Sequence, residues 1–439
     1  MRQGELKRFV LGFLVVLFSS AGIAQANPGI EHWETENGLK VYFMEAPALP
    51  MLDMRVVFRA GSARDGDAAG LARLTNGLLN AGAGDWDADT IAERFESVGA
   101  QYGASALRDM AFVSLRSVIE EDWLDTALDT FITVLGEPRF PERDLERARR
   151  QTLVALESQA QNPGSVAQRT FFEAVFGDHP YGSPPLGTEE SVQAITRDQV
   201  RDFHREFYVA RNGVLVLVGG VDRATAEAIA ERVAAALPEG RPAAELPEVA
   251  PIEEGRTIRV AFPSEQAHVL IGQPGMRRGD PDYYALFVGN HMLGGSGFTS
   301  RLFDEVRSRR GLAYSVYSQF VPMEADGPFI MGVQTQGAQA DEAIQVMRNT
   351  LAEFRDNGPA RDQLRASQRN ITGGFPLRTA SNSAMVDNLA LMGFYGLPLD
   401  YLDAYTGKVE AVDAKAIHEA FQRRLDPERM IIVIVGGEN

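Results

Sequence analysis

Apolar positions along this chain fall into short strand-like runs followed by longer helical patterns, and the whole series occurs twice. LKVYFM (39–44) and DMRVVFRAG (53–61) read as strands and lead into a helix, as do TIRVAF (257–262) and AHVLIGQPG (267–275). Between them, DTIAERFESVGAQYGASALRDMAFVSLRSV (89–118) passes from a helical spacing into alternating strand positions. Long helical patterns follow, and each series closes on a β-branched run. RDFHREFYVARNGVLVLVGGVD (201–222) has its counterpart in AIHEAFQRRLDPERMIIVIVGGEN (416–439), with Val218 and Val435 standing 217 residues apart. PERDLERARRQ (141–151) and PARDQLRASQR (359–369) match at an offset of 218. Two nearly equal offsets predict a duplicated domain. Grouped strands and grouped helices predict an α+β class, with a largely antiparallel sheet in each half rather than a doubly wound parallel one.

Between the halves, LPEGRPAAELPEVAPIEEG (237–255) holds four prolines and no apolar period, and reads as a linker. The expected organisation is a signal segment at 1–26, a first domain at 27–236, a linker at 237–256 and a second domain at 257–439. Arg2, Lys7 and Arg8 precede a short apolar core, FVLGFLVVLF (9–18), and AQA (24–26) offers a small-x-small cleavage site. That core is about half a membrane-spanning length. The expectation is therefore export, to the periplasm of a Gram-negative cell, without membrane insertion once the signal is removed.

Composition narrows the chemistry. The 439 residues suit two domains. No cysteine is present, which excludes disulfides, thiolate metal sites and cysteine nucleophiles. The formal charge of −17 becomes −19 without residues 1–26, which argues against nucleic acid and anionic membranes as partners. Six histidines occur (His32, His179, His204, His268, His291 and His418), and no two lie within twenty residues of each other. No helix or hairpin can therefore offer a local pair of imidazoles to a metal. LGGSG (293–297) is followed by Phe298 and lacks the Gly-x-Ser-x-Gly elbow; with four lysines in the chain, a phosphate loop has no support either.

Four stretches in order carry a family resemblance. They are NGLKVYF with FRAGSARD (58–65) and GLA (70–72); HPYGSPPLGTEESVQAIT (179–196); LGGSGFTSRLFDEVRSRRGLAYSVYS (293–318); and FPLRTASNSAMVDNLALMGFYGLPLDYL (375–402). Over nearly the whole chain after residue 26, the sequence resembles the pitrilysin/insulinase-type metallopeptidases, which include the mitochondrial processing peptidase and its non-catalytic relatives. The resemblance implies two homologous domains of the LuxS/processing-peptidase type, packed about a chamber.

In active members, the helix after Gly-x-Ala carries His-x-x-Glu-His: two imidazoles one turn apart hold zinc, and the glutamate takes a proton from the bound water. Those positions fall here on Arg73, Asn76 and Gly77. The third ligand's position falls near Ala155, with Glu157 two residues away on another helix face. Active members also use an arginine and a tyrosine seven residues apart, and Arg307 and Tyr314 have that spacing. TSRLFDEVRSRR (299–310) reads as a helix stopped by Gly311, and AYSVYSQF (313–320) as a strand. A tight turn between them lets Arg307 hold a peptide carbonyl or carboxylate, and lets Tyr314 donate to an oxyanion. Gly294, Gly295 and Gly297 are expected in a substrate-binding loop ahead of that arginine.

Some members of the family divide the labour between a His-x-x-Glu-His chain and a partner that keeps the arginine–tyrosine pair. The resemblance therefore implies a non-catalytic subunit of an exported heterodimeric zinc peptidase, with no cofactor of its own and zinc in the partner. Arg307 and Tyr314 would act in trans on peptide substrates. The rival expectation is a silent scaffold or peptide-binding protein, like the respiratory-complex core subunits of the same fold.

Overall fold

The computed structural model describes residues 29–437; the expected signal segment lies outside them. The first half runs β1 (Glu31–Glu34), β2 (Lys40–Glu45), β3 (Met51–Phe58), α1 (Leu71–Gly77), the short pair β4 (Gly82–Ala83) and β5 (Trp86–Asp87), α2 (Ala88–Ser97), β6 (Gln101–Ala106) and β7 (Ala111–Val118). It continues through α3 (Glu121–Gly136), α4 (Glu142–Ala160), α5 (Pro163–Phe176), α6 (Glu189–Ala194) and α7 (Arg197–Phe207) to β8 (Gly213–Gly219) and α8 (Arg223–Ala235). The second half is β9 (Arg256–Val260), β10 (Gln266–Met276), α9 (Tyr283–Asn290), β11 (Ala313–Phe320), β12 (Gly327–Gln336), α10 (Ala340–Asn357), α11 (Arg361–Gly374), α12 (Asn382–Tyr395), α13 (Tyr401–Glu410), α14 (Ala414–Arg424) and β13 (Ile431–Gly436).

Local chemistry sets these boundaries. Thr188 and Thr196 each close a capping box over the first turns of α6 and α7. Asn162 caps α5, with Pro163 in its first turn where no amide is needed. β8 is buried at every position, as a β-branched run covered on both faces must be, whereas β7 alternates buried and half-buried residues.

The duplication is visible in the sheets. The first has the order β1-β2-β8-β3-β7-β6 and the second β11-β12-β10-β13-β9. After β1, the strands correspond one to one, and each sheet has a single parallel pairing, β2 with β8 and β9 with β13. The rest is antiparallel, as the grouped pattern predicts.

The halves are not separately covered. α12, from the second half, lies on the first sheet, where Met385, Val386 and Leu389 pack among Tyr42, Val57, Val214 and Val216. Reciprocally, α5 of the first half lies on the second sheet, with Phe171 and Phe172 among Ile330, Ile431 and Val433. Gly393 permits the first approach, because a Cβ there would meet Val214 at 2.5 Å and the Tyr42 ring at 2.8 Å.

A polar hub ties the exchange together. Asp109, 3% exposed, accepts from the Tyr181 hydroxyl at 2.6 Å, the Tyr395 hydroxyl at 2.9 Å and the Glu324 amide at 2.8 Å. Arg59 and Arg64 meet the Glu324 carboxylate at 3.2 and 3.3 Å. The proline-rich segment between α8 and β9 has no regular structure but is not free. Leu246, Val249 and Ile252 pack beside Phe176, and Arg64 donates to the Ala244 carbonyl at 2.6 Å. β9 begins at Arg256, inside the range expected for the linker.

Candidate functional site

α1 starts from Gly70, held at φ +96°, and Asp65 organises its first turn by accepting from the amides of Gly70 (2.8 Å) and Ala72 (2.7 Å). Burial pushes the Asp65 carboxyl up to about 7 against the pull of those two donors. The helix therefore presents its residues in a fixed orientation, with Arg73 and Gly77 one turn apart on its exposed face and Asn76 buried behind them. Arg73 is exposed and lines a cavity of about 340 Å³ between α1, α4, α5 and the loop at 182–187. Asn76 is buried (1% exposed) and donates to the Tyr208 hydroxyl at 3.1 Å and the Phe112 carbonyl at 3.3 Å. Gly77 lies on the surface, with nothing within 4 Å of where its Cβ would be. Ala155 lines the same cavity as Arg73, and Glu157 is exposed outside that lining.

The set does not fit zinc. A guanidinium takes the place of one imidazole, a glycine that of the other, and the amide between them is consumed by the core. Among the described residues no group of three His, Asp or Glu side chains could hold a metal ion. The cavity is cationic instead: Arg108 also lines it, its guanidinium pushed down to about 10 by burial and bonded to the carbonyls of Tyr181 (2.6 Å) and Ser183 (2.7 Å).

Four of the histidines, His32, His179, His204 and His291, have hydrogen-bond partners in their surroundings. His204 stacks on Tyr208 and bonds the Leu135 carbonyl at 3.0 Å, and burial takes it down to about 4. His291 is held between the Ser367 hydroxyl (2.6 Å) and Asn370 (3.1 Å).

The structure brings Arg307 and Tyr314 together. The Arg307 guanidinium carbon lies 4.7 Å from the Tyr314 ring centre, 4.7 Å from that of Phe303 and 5.8 Å from that of Phe298. Tyr314 is 83% exposed and Phe298 78%. Among the described residues no carboxylate pairs with Arg307, although Asp304, Glu305, Arg309 and Arg310 beside it form ion pairs with one another. The helix expected over 299–310 is shorter: a 3₁₀ turn at Gly297–Thr299 is followed by helical residues ending in a π turn at Phe303–Ser308. Gly311, at φ +65°, then reverses the chain into β11. The wider π turn re-aims Arg307 relative to an α-helix, a device common at functional sites.

The three loop glycines differ in role. Gly294 is buried against Ser318 of β11, where a Cβ would collide with the strand. Gly295 and Gly297 are exposed, and Gly297 sits at φ +59°. Phe298 and Phe303, which flank Arg307, were not singled out from the sequence; their position around the family's Arg–Tyr spacing is the signal that could have found them.

The chain is similar in sequence and fold to known proteins. Residues 41–189 match the model described as insulinase (peptidase family M16), and 194–371 that of the peptidase M16 inactive domain. A solved Pseudomonas fluorescens structure, described as a peptidase M16 inactive domain, is 40% identical, with a TM-score of 0.90 over 93% of this chain and 98% of that one. The chain belongs to peptidase family M16. An M16 relative in Helicobacter pylori, described as a non-peptidase homolog, is 26% identical over 99% of both chains. A Streptomyces coelicolor relative described as an uncharacterized zinc protease is 29% identical over 80% of this chain and 78% of its own length. This M16 chain is thus an inactive homologue of a metallopeptidase family. Among its described residues, no helix is long and apolar enough to cross a membrane.

Proposed function

We propose that this chain is the non-catalytic, substrate-binding subunit of an exported heterodimeric zinc peptidase. Its partner would be a homologous chain that carries His-x-x-Glu-His and the zinc. The observation that carries the reading is the contrast between the two halves. The α1 helix has Arg73, Asn76 and Gly77 where ligands and base would stand, while half-buried Arg307 lies against exposed Tyr314 and, among the described residues, pairs with no carboxylate. A guanidinium stacked between rings keeps its donors free for a peptide carbonyl or carboxylate. The Tyr314 hydroxyl, at the free end of an exposed ring, can donate to an oxyanion formed on a substrate held by the partner. Exposed Gly295 and Gly297, ahead of the arginine, let a peptide backbone approach closely.

The test is reconstitution. The isolated chain should hold no stoichiometric zinc and cleave no peptide. Mixed with a zinc-bearing M16 homologue from the same cell, it should form a complex with peptidase activity well above that of the homologue alone. A mixture no more active than the homologue would leave the silent scaffold as the better reading.

A further inference from the structure

A cavity of about 750 Å³ in the second half, with Gly294 and Gly295 at its edge, is the internal duplicate of the one beside Arg73. Its wall on α12 is formed by Ala384, Asp387, Asn388 and Leu391, each 219 residues after Ser165, Gln168, Arg169 and Phe172 on α5. Its other wall is the end of α9 and the π turn at His291–Gly295, which follow β10 as α1 follows β3. The duplicate has a different chemistry from the site it copies.

Aromatic rings form a large part of the lining, among them Phe287, Tyr317, Phe320, Phe375, Tyr401 and Tyr405, with Phe375 stacked on Tyr405 at 4.5 Å. Two guanidiniums face the cavity and neither is ion-paired among the described residues. Arg378 is exposed and donates to the Tyr405 hydroxyl at 3.3 Å. Arg278 is half-buried, lies 5.6 Å from the Tyr283 ring centre and 5.5 Å from that of Tyr395, and has a buried Nε without a hydrogen-bond partner. Asp387 is the one carboxylate of the lining, and Arg55 from the first half takes it at 2.6 Å. His291 is occupied by Ser367 and Asn370. In a chain of net charge −17, the cavity is therefore a positive pocket with apolar walls.

Ions of the protein's own do not satisfy those guanidiniums, and the walls disfavour a small hydrated anion. We infer that this cavity binds an organic carboxylate with a large apolar body, the carboxylate on Arg378 and Arg278 and the body against Phe320, Phe375 and Tyr405. Bidentate pairing with a planar guanidinium fits a carboxylate, and its attraction is greatest where water is excluded. Two sources share this chemistry, the C-terminus of a peptide ending in a bulky apolar residue and a free aromatic acid. The inference does not depend on Arg307 and Tyr314, which lie outside the lining.

Calorimetric titration of the full chain tests it with three probes: Ala-Ala-Phe as the free acid, the same peptide as its C-terminal amide, and 3-phenylpropionate. The acid should bind at least tenfold more tightly than the amide. Tighter binding of the tripeptide acid than of phenylpropionate assigns the site to peptide ends, and the reverse order to free acids. Arg378→Gln should weaken the acid at least tenfold without moving the melting temperature of the unliganded chain. Leu391→Trp, which fills the cavity from the opposite wall, should abolish binding, and Tyr314→Phe should leave it unchanged. Equal affinity for acid and amide, an Arg378→Gln affinity like that of the parent, or no binding of any probe at millimolar concentration overturns the inference.

Discussion

Replacing Asp109 by alanine should cost more than replacing any other single polar residue at the junction of the halves. Its carboxylate is buried and takes three donors from three places: Tyr181 beyond α5, the Glu324 amide between β11 and β12, and Tyr395 at the end of α12. Hydrogen bonds to an ionised acceptor contribute roughly 1.5–3 kcal/mol each, and stranded buried donors cost about 1–3 kcal/mol. Some of the donors can reorient after truncation, so the net loss should be about 3–5 kcal/mol rather than the full sum. With an unfolding entropy of about 2.1 cal/mol/K per residue, about 400 residues give roughly 0.9 kcal/mol/K. The melting temperature should therefore fall by about 3–6 °C in a calorimetric scan. Asp109→Asn, which retains one acceptor oxygen, should lose about half as much. A fall below about 1 °C for Asp109→Ala would refute the hub as a structural tie.

Asp65, raised to about 7 from its ordinary 3.8, binds its proton more tightly folded than unfolded. Its contribution to stability is fully present below about pH 4 and lost as pH rises through 7, on the order of 4 kcal/mol; Asp65→Asn should flatten the melting profile across that window. Gly393→Ala should destabilise by about 1–3 kcal/mol in urea titration, because its Cβ meets Val214 and Tyr42 across the exchanged helix. The triple variant Arg73→His, Gly77→His, Ala155→Glu should gain one zinc per chain by elemental analysis, whereas each single variant gains none.

The counterpart strands β8 and β13 were legible because their β-branched runs repeat at a fixed offset. That Arg73, Asn76 and Gly77 stand in one short helix was legible as well. The helix exchange was not: an apolar face on α12 says that something covers it, not that Tyr42 and Val214 of the other half do. Asp109 and Tyr395 are 286 residues apart, and no local pattern marks such a pair. The π turn under Arg307 escaped for a different reason, because the residues of TSRLFDEVRSRR suit an ordinary helix and their spacing does not mark a wider last turn. The aromatic cavity of the second half depends on distant walls brought together by the duplicated fold.

The central claim is that Tyr314 and Arg307 act on a substrate held by a partner's metal site. Steady-state kinetics of the reconstituted pair measure this most directly. The account predicts that Tyr314→Phe lowers kcat by about 10- to 1000-fold with little change in KM, since an oxyanion donor acts only in the transition state. Arg307→Gln should chiefly raise KM. Unchanged kcat and KM for both variants, in a complex that still assembles, would contradict it.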